Sequence, residues 1–154
     1  MAKIHTLINN MYLPLLKSHS GLRWLVLAGF AGTLFALWKA RKNGGNRSSI
    51  RSLALFTLIS THLQFIFGIL LYFISPKVVF KASAMSDKVQ RFFLVEHISL
   101  MLVAIVLLTI GYVKWKKRAD LAAAKALFRY YLIALILILI SIPWPFRIAG
   151  SHWF

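Results

Sequence analysis

No cysteine occurs in the chain, which excludes disulfides, iron–sulfur clusters and thiolate metal sites. Acids are nearly as scarce: Asp87, Glu96 and Asp120 are the only three among 154 residues. Against them stand 19 Lys and Arg, for a formal charge of +16. In a soluble domain that balance would point to nucleic acid. Here the basic residues stand in short runs between long apolar stretches, without a nucleic-acid motif or fold context, so no nucleic-acid partner is expected and lipid headgroups account for the charge. The chain is 60% hydrophobic with a mean hydropathy of +0.74, too apolar for a soluble domain and too short for more than one membrane bundle. The opening Met1-Ala-Lys-Ile-His-Thr has neither the apolar core nor the cleavage site of a secretory signal.

Periodicity divides the chain into an interfacial segment, 1–16, and a transmembrane bundle, 17–154. In the first, Ile4, Leu7, Ile8, Met11 and Leu15 follow a helical stripe, as expected of an amphipathic helix lying in the membrane interface. Pro14 suits the first turn of a new helix. Four spans follow, at about 18–37, 52–74, 88–113 and 127–143, and the Gly-, Asn- and Ser-rich run 39–51 is a connector. Ser75-Pro76 ends the second span, and Asp87 with Gln90 resembles a capping box opening the third. The expected fold is an all-α integral membrane four-helix bundle, with the Leu- and Ile-rich fourth span serving as a structural wall.

Ionisable groups inside such spans mark candidate sites, because hydrocarbon penalises them. Glu96 is the one acid within a span, and His97 follows it. His19 and Arg23, four apart at the start of the first span, share a face. His62 and Gln64 lie deep in the second, and counting inward from one membrane face places His62 and His97 within about 5 Å in depth, so they could meet one ligand. Gly68, placed away from the Gln64 face, suits close approach of a helix or flat ligand.

Imidazoles facing each other in a bundle can ligate a haem iron noncovalently, with Arg23 and Arg91 neutralising the propionates and Met101, one turn after His97, packing on the porphyrin edge or serving as a soft ligand. The same residues could instead relay protons through Glu96 and the histidines, or hold a divalent metal with His19, His62 and His97. Alternatively, Glu96 simply pairs with Arg23 or Arg91 and the histidines hydrogen-bond across helices, in a structural or accessory subunit of a larger membrane complex.

The succession His19-Ser-Gly-Leu-Arg-Trp24, Thr61-His-Leu-Gln64 with Gly68 and Leu71-Tyr-Phe73, Ser75-Pro76, Glu96-His97 with Met101, and Ile142-Pro-Trp-Pro145 resembles small four-helix membrane proteins of Bacteroidota labelled "cytochrome B". The resemblance covers about residues 19–146. It implies a haem b protein of the cytoplasmic membrane exchanging electrons with quinone or a respiratory partner. His19, His62 and His97 are then the candidate ligands, Arg23 and Arg91 the propionate partners, and Glu96 a proton or hydrogen-bond partner. Which two histidines are axial stays open.

Topology follows from charge. The loops after the first and third spans carry eleven Lys and Arg, from Lys39 to Arg51 and from Lys114 to Arg129, against seven on the opposite face. Both termini are therefore expected on the periplasmic side of the inner membrane. His19, Arg23, Arg91, Glu96, His97, Trp144 and Arg147 then gather in the outer half of the bilayer.

Overall fold

A computed structural model describes residues 2–43, 45–118 and 120–148, with the side chains of 2–9 and 43 left out of the description. Ile4, Leu7 and Ile8 of the expected interfacial stripe, Ala119 and the tail beyond Ile148 therefore lie outside the described side chains. Most of the described residues are helical, none is in a strand, and four helices are long and apolar enough to cross a membrane: α1 (Ala2–Asn43), α2 (Arg47–Ile74), α3 (Lys88–Lys116) and α4 (Leu121–Ser141). The apolar exterior of these helices faces lipid. Phe35, Phe56, Ile59, Leu102 and Ile133 are among the large side chains exposed there.

The first departure from expectation is at residue 16. Residues 2–43 form one unbroken helix, with Pro14 inside it and exposed. At 1.5 Å per residue α1 is about 63 Å long, roughly twice the hydrocarbon thickness. Span ends shift for a local reason, the short polar side chains that cap them. Asn46 Oδ1 accepts from the Ser48 N–H at 2.8 Å and starts α2 five residues ahead of the expected 52. Asp120 Oδ1 accepts from the Ala123 N–H at 2.8 Å and starts α4 ahead of 127. Asp87 caps α3 as anticipated, accepting from the Gln90 N–H at 2.8 Å.

Sequential helices pack most closely, α1 on α2 and α3 on α4, and the two hairpins meet along α1–α4 and α2–α3. A Cβ on Gly111 would stand 2.5 Å from the Cβ of Tyr130, so only glycine lets α3 approach α4 there. Between α1 and α2 the Thr33 and Thr57 hydroxyls meet at 2.9 Å. Thr57 donates to the Leu53 carbonyl, so Thr33 is the donor of that pair. Tyr131 is fully buried; its ring packs on Phe30 of α1 at 5.7 Å and its hydroxyl donates to the Ala54 carbonyl of α2 at 2.9 Å. One residue of α4 thus ties three helices together. At the far end Arg47 stacks on Trp115 and donates to the Trp115 and Arg118 carbonyls, closing the C-terminus of α3.

Tyr131→Phe keeps the ring packing and removes one interhelical hydrogen bond, so it should lower bundle stability by about 0.6 kcal/mol, and Tyr131→Ala by about 3–5 kcal/mol, read as reversible unfolding in bicelles.

Candidate functional site

The end of the bundle that holds the start of α1 and the loop from α2 to α3 contains a partly open cavity of about 170 Å³. Its wall includes His19, Arg23, Gln64, Gly68, His97 and Met101. Each helix contributes, with Ile138 coming from α4.

His97 owes its direction to a local change of helix type. Residues Phe92–Glu96 form a π turn, in which the His97 N–H reaches back to the Phe92 carbonyl, five residues away. A π turn brings residue i+5 back over residue i, and such turns recur at functional sites. Two i, i+5 pairs result. Phe92, buried, comes under the His97 ring at 5.9 Å between centroids, and Arg91 Nε donates to Glu96 Oε1 at 2.9 Å on the outer side. Tyr72 of α2 donates to the Leu94 carbonyl within the turn at 3.0 Å. Lys77 sits over Phe93 and Arg147 over Phe92, enclosing the turn in cations on aromatic faces.

The tautomer of His97 follows from its partner. Nδ1 lies 2.7 Å from the Ser141 carbonyl oxygen, which can only accept, so Nδ1 carries the proton and Nε2 presents a lone pair. This is the arrangement that orients histidine ligands of metals. Ser141, fully buried on α4, also places its hydroxyl 3.0 Å from Nδ1. The fourth helix is therefore more than a wall.

His19 faces His97 edge-on. Their ring centroids are 6.5 Å apart and their planes 72° to each other. Gly68 makes the space, since a Cβ there would lie 3.1 Å from His19 Cε1. Gln64 shares that face, four residues earlier, and its Nε2 donates to the His19 carbonyl at 2.8 Å. Gly68 and Gln64 therefore work on one side of α2 and not on opposite sides as the sequence reading had it. His19 Nδ1 and Gln64 Oε1 are buried without a hydrogen-bond partner. Orphaned polar atoms aimed at a cavity mark a site built for an occupant.

Three sequence-predicted residues stand elsewhere. His62 is two residues before Gln64, about 200° around the helix, and faces Thr109 across a separate groove. Matching depth along a helix does not match azimuth, so His62 cannot share a ligand with His19 and His97. Arg91 and Glu96 pair with each other, each about 40% exposed, and are not in the cavity wall. Arg91 also donates to the Met85 carbonyl. Among the described residues no three His, Cys, Asp or Glu side chains come together as a metal-binding group. Lys77, Tyr72, Phe93 and Ser141 went unassigned as site residues in the sequence. Only the i, i+5 spacing of Arg91 with Glu96 and Phe92 with His97 hinted at the π turn.

The donor set fits a haem iron. Metal–nitrogen bonds of about 2 Å, with each ring centre about 1 Å behind its nitrogen, put two imidazoles on opposite sides of one metal about 6 Å apart. Arg23 and Lys77 bring positive charge to the wall, and among the described residues no carboxylate lines it. The enclosed volume is close to the roughly 150 Å³ that admits a benzene ring, so a tetrapyrrole needs the open side of the cavity as well. No protein-family model, curated protein or solved structure matches the chain.

Gly68→Leu should push the His19 ring off its seat while leaving His97 bonded to Ser141. In solid-state NMR of histidine-labelled protein, the His19–His97 contact should vanish and the His97–Ser141 contact persist, at a stability cost of about 1–3 kcal/mol from overpacking.

Proposed function

We propose that this chain is a b-type haem-binding protein of the cytoplasmic membrane that carries electrons in or near a respiratory complex. His19 and His97 are the residues that would hold its iron. The observation that carries this reading is the proximity of their rings, centroids 6.5 Å apart in an edge contact between separate helices in one cavity wall, with the His97 tautomer set by Ser141. His62 leaves the ligand set because it faces another groove. Lys77 joins Arg23 as a propionate partner in the place expected for Arg91, which is held by Glu96. Met101 is a packing residue of the cavity wall, half-buried against the core.

Haem iron supplies a one-electron couple that no side chain here offers. The residues of the chain do the rest. The Ser141 carbonyl holds the His97 ring in one orientation and tautomer, Phe92 and Phe93 pack on that ring and keep water from it, and Gly68 seats His19. Quinone or a neighbouring respiratory subunit is the partner that such a protein exchanges electrons with. With eleven basic residues beyond the opposite end, the cavity lies toward the periplasm and both termini are outside.

The test is a dithionite-reduced minus air-oxidised spectrum of the detergent-purified protein. Sharp α and Soret bands of a six-coordinate b haem are expected, lost in His19→Ala and in His97→Ala but kept in His62→Ala. A featureless wild-type spectrum after expression with ample haem would point instead to an accessory subunit without a redox group. For orientation, alkaline phosphatase joined to the C-terminus should be active, and inserted at Gly45 inactive; the reverse result inverts the topology.

A further inference from the structure

The geometry points to a second binding site, the groove at His62 between α2 and α3, which takes the hydroxyl of a neutral, lipid-dissolved phenol or hydroquinone. His62 lies near the middle of α2 and Thr109 well inside α3, at a depth where there is no water to complete a hydrogen bond. His62 Nδ1 is 2.7 Å from the Leu58 carbonyl, an acceptor only, so the proton sits on Nδ1 and Nε2 is a bare acceptor. The nearest polar atom is Thr109 Oγ1 at 3.4 Å, but that hydroxyl is already committed to the Ile105 carbonyl at 2.8 Å. Nε2 thus faces an oxygen lone pair at a distance too long for a good bond. A donor from outside the chain would make the shorter, better bond.

The space around it defines that donor. The groove holds about 250 Å³ and is lined by Leu58, Ile59, Leu63 and Ile66 beside His62 and Thr109. Ile59, Leu63 and Ile66 are each about half exposed, so the groove opens sideways to lipid. No charged side chain lines it, which excludes an ammonium or carboxylate ligand at this depth. The volume exceeds the roughly 150 Å³ that receives a benzene ring. A substituted aromatic ring fills the aliphatic walls, and an aromatic hydroxyl, more acidic than an alcohol, is the stronger donor to imidazole. The site is on a different face of α2 from Gln64 and Gly68 and does not depend on haem being bound at His19 and His97.

The experiment uses the full-length protein in nanodiscs with ¹⁵N-labelled histidine, titrated with 4-hexylphenol, hexylhydroquinone, 4-hexylanisole and dodecanol. Either of the first two should move the His62 Nε2 resonance upfield in a saturable manner while His19 and His97 stay in place, and their relative affinities distinguish a phenol from a hydroquinone ligand. The anisole, which lacks the proton, should do nothing. Ile66→Trp, which fills the groove from its lipid side and leaves His62 intact, should weaken the effect about tenfold or more. An equal response to the anisole, equal potency of dodecanol, an undiminished response in Ile66→Trp, or no saturable shift would each overturn the assignment.

Discussion

In the bilayer core there is no water to satisfy a stray donor or acceptor, and most polar contacts in this bundle follow from that constraint. Thr57, Ser60, Thr61 and Thr109 turn their hydroxyls back to carbonyls of their own helices. Thr33 reaches across to Thr57, and Tyr131 reaches across to Ala54. Against this background the exceptions stand out. His19 Nδ1 and Gln64 Oε1 are buried without partners at one cavity, and His62 Nε2 meets only a hydroxyl already in use at another. In an environment that penalises such atoms, they locate the places where the chain is built to meet something else.

The π turn converts that general constraint into a particular site. By placing i+5 over i, it lets one short stretch do two things on opposite sides: Arg91 and Glu96 neutralise each other outward, while Phe92 and His97 stack inward. All three acids of the chain then have structural duties, Asp87 and Asp120 as helix caps and Glu96 in the ion pair. None is left to act as a free carboxylate in the cavity. Arg23 and Lys77 add positive charge to the wall, which suits an anionic edge on the occupant.

Much of the fold was legible because hydrocarbon thickness imposes a length and composition that a sequence shows directly. Four spans and the cap at Asp87 could be read without coordinates, whereas the connector expected at 39–51 is helical at 39–43 and 47–51. The break expected at residue 16 was not real, since a stripe such as Ile4, Leu7, Met11 and Leu15 has the same period whether its helix stops or continues into the membrane. The alanine-rich stretch before 127 reads as helical from sequence, and the structure joins it to the fourth span as one helix capped by Asp120. At the site, the sequence grouped His19, His62 and His97 and matched His62 with His97 on depth, whereas the structure puts His19 beside His97 and His62 on another groove. Arg91 could be read either as a propionate partner or as the partner of Glu96, and the structure shows the pair, at a separation that is remote in an α-helix and adjacent in a π turn.

The sequence by itself determined the solvent this protein lives in, the number of its crossings and the rarity of its ionisable groups, because those depend on composition and on segment length. Tertiary structure alone decided which histidines meet. That outcome depends on helix azimuth, and azimuth here is set by contacts far apart in the chain: Gly68 of α2 receiving His19 of α1, Ser141 of α4 holding His97 of α3, and one extra residue in the turn of α3 that rotates everything after it.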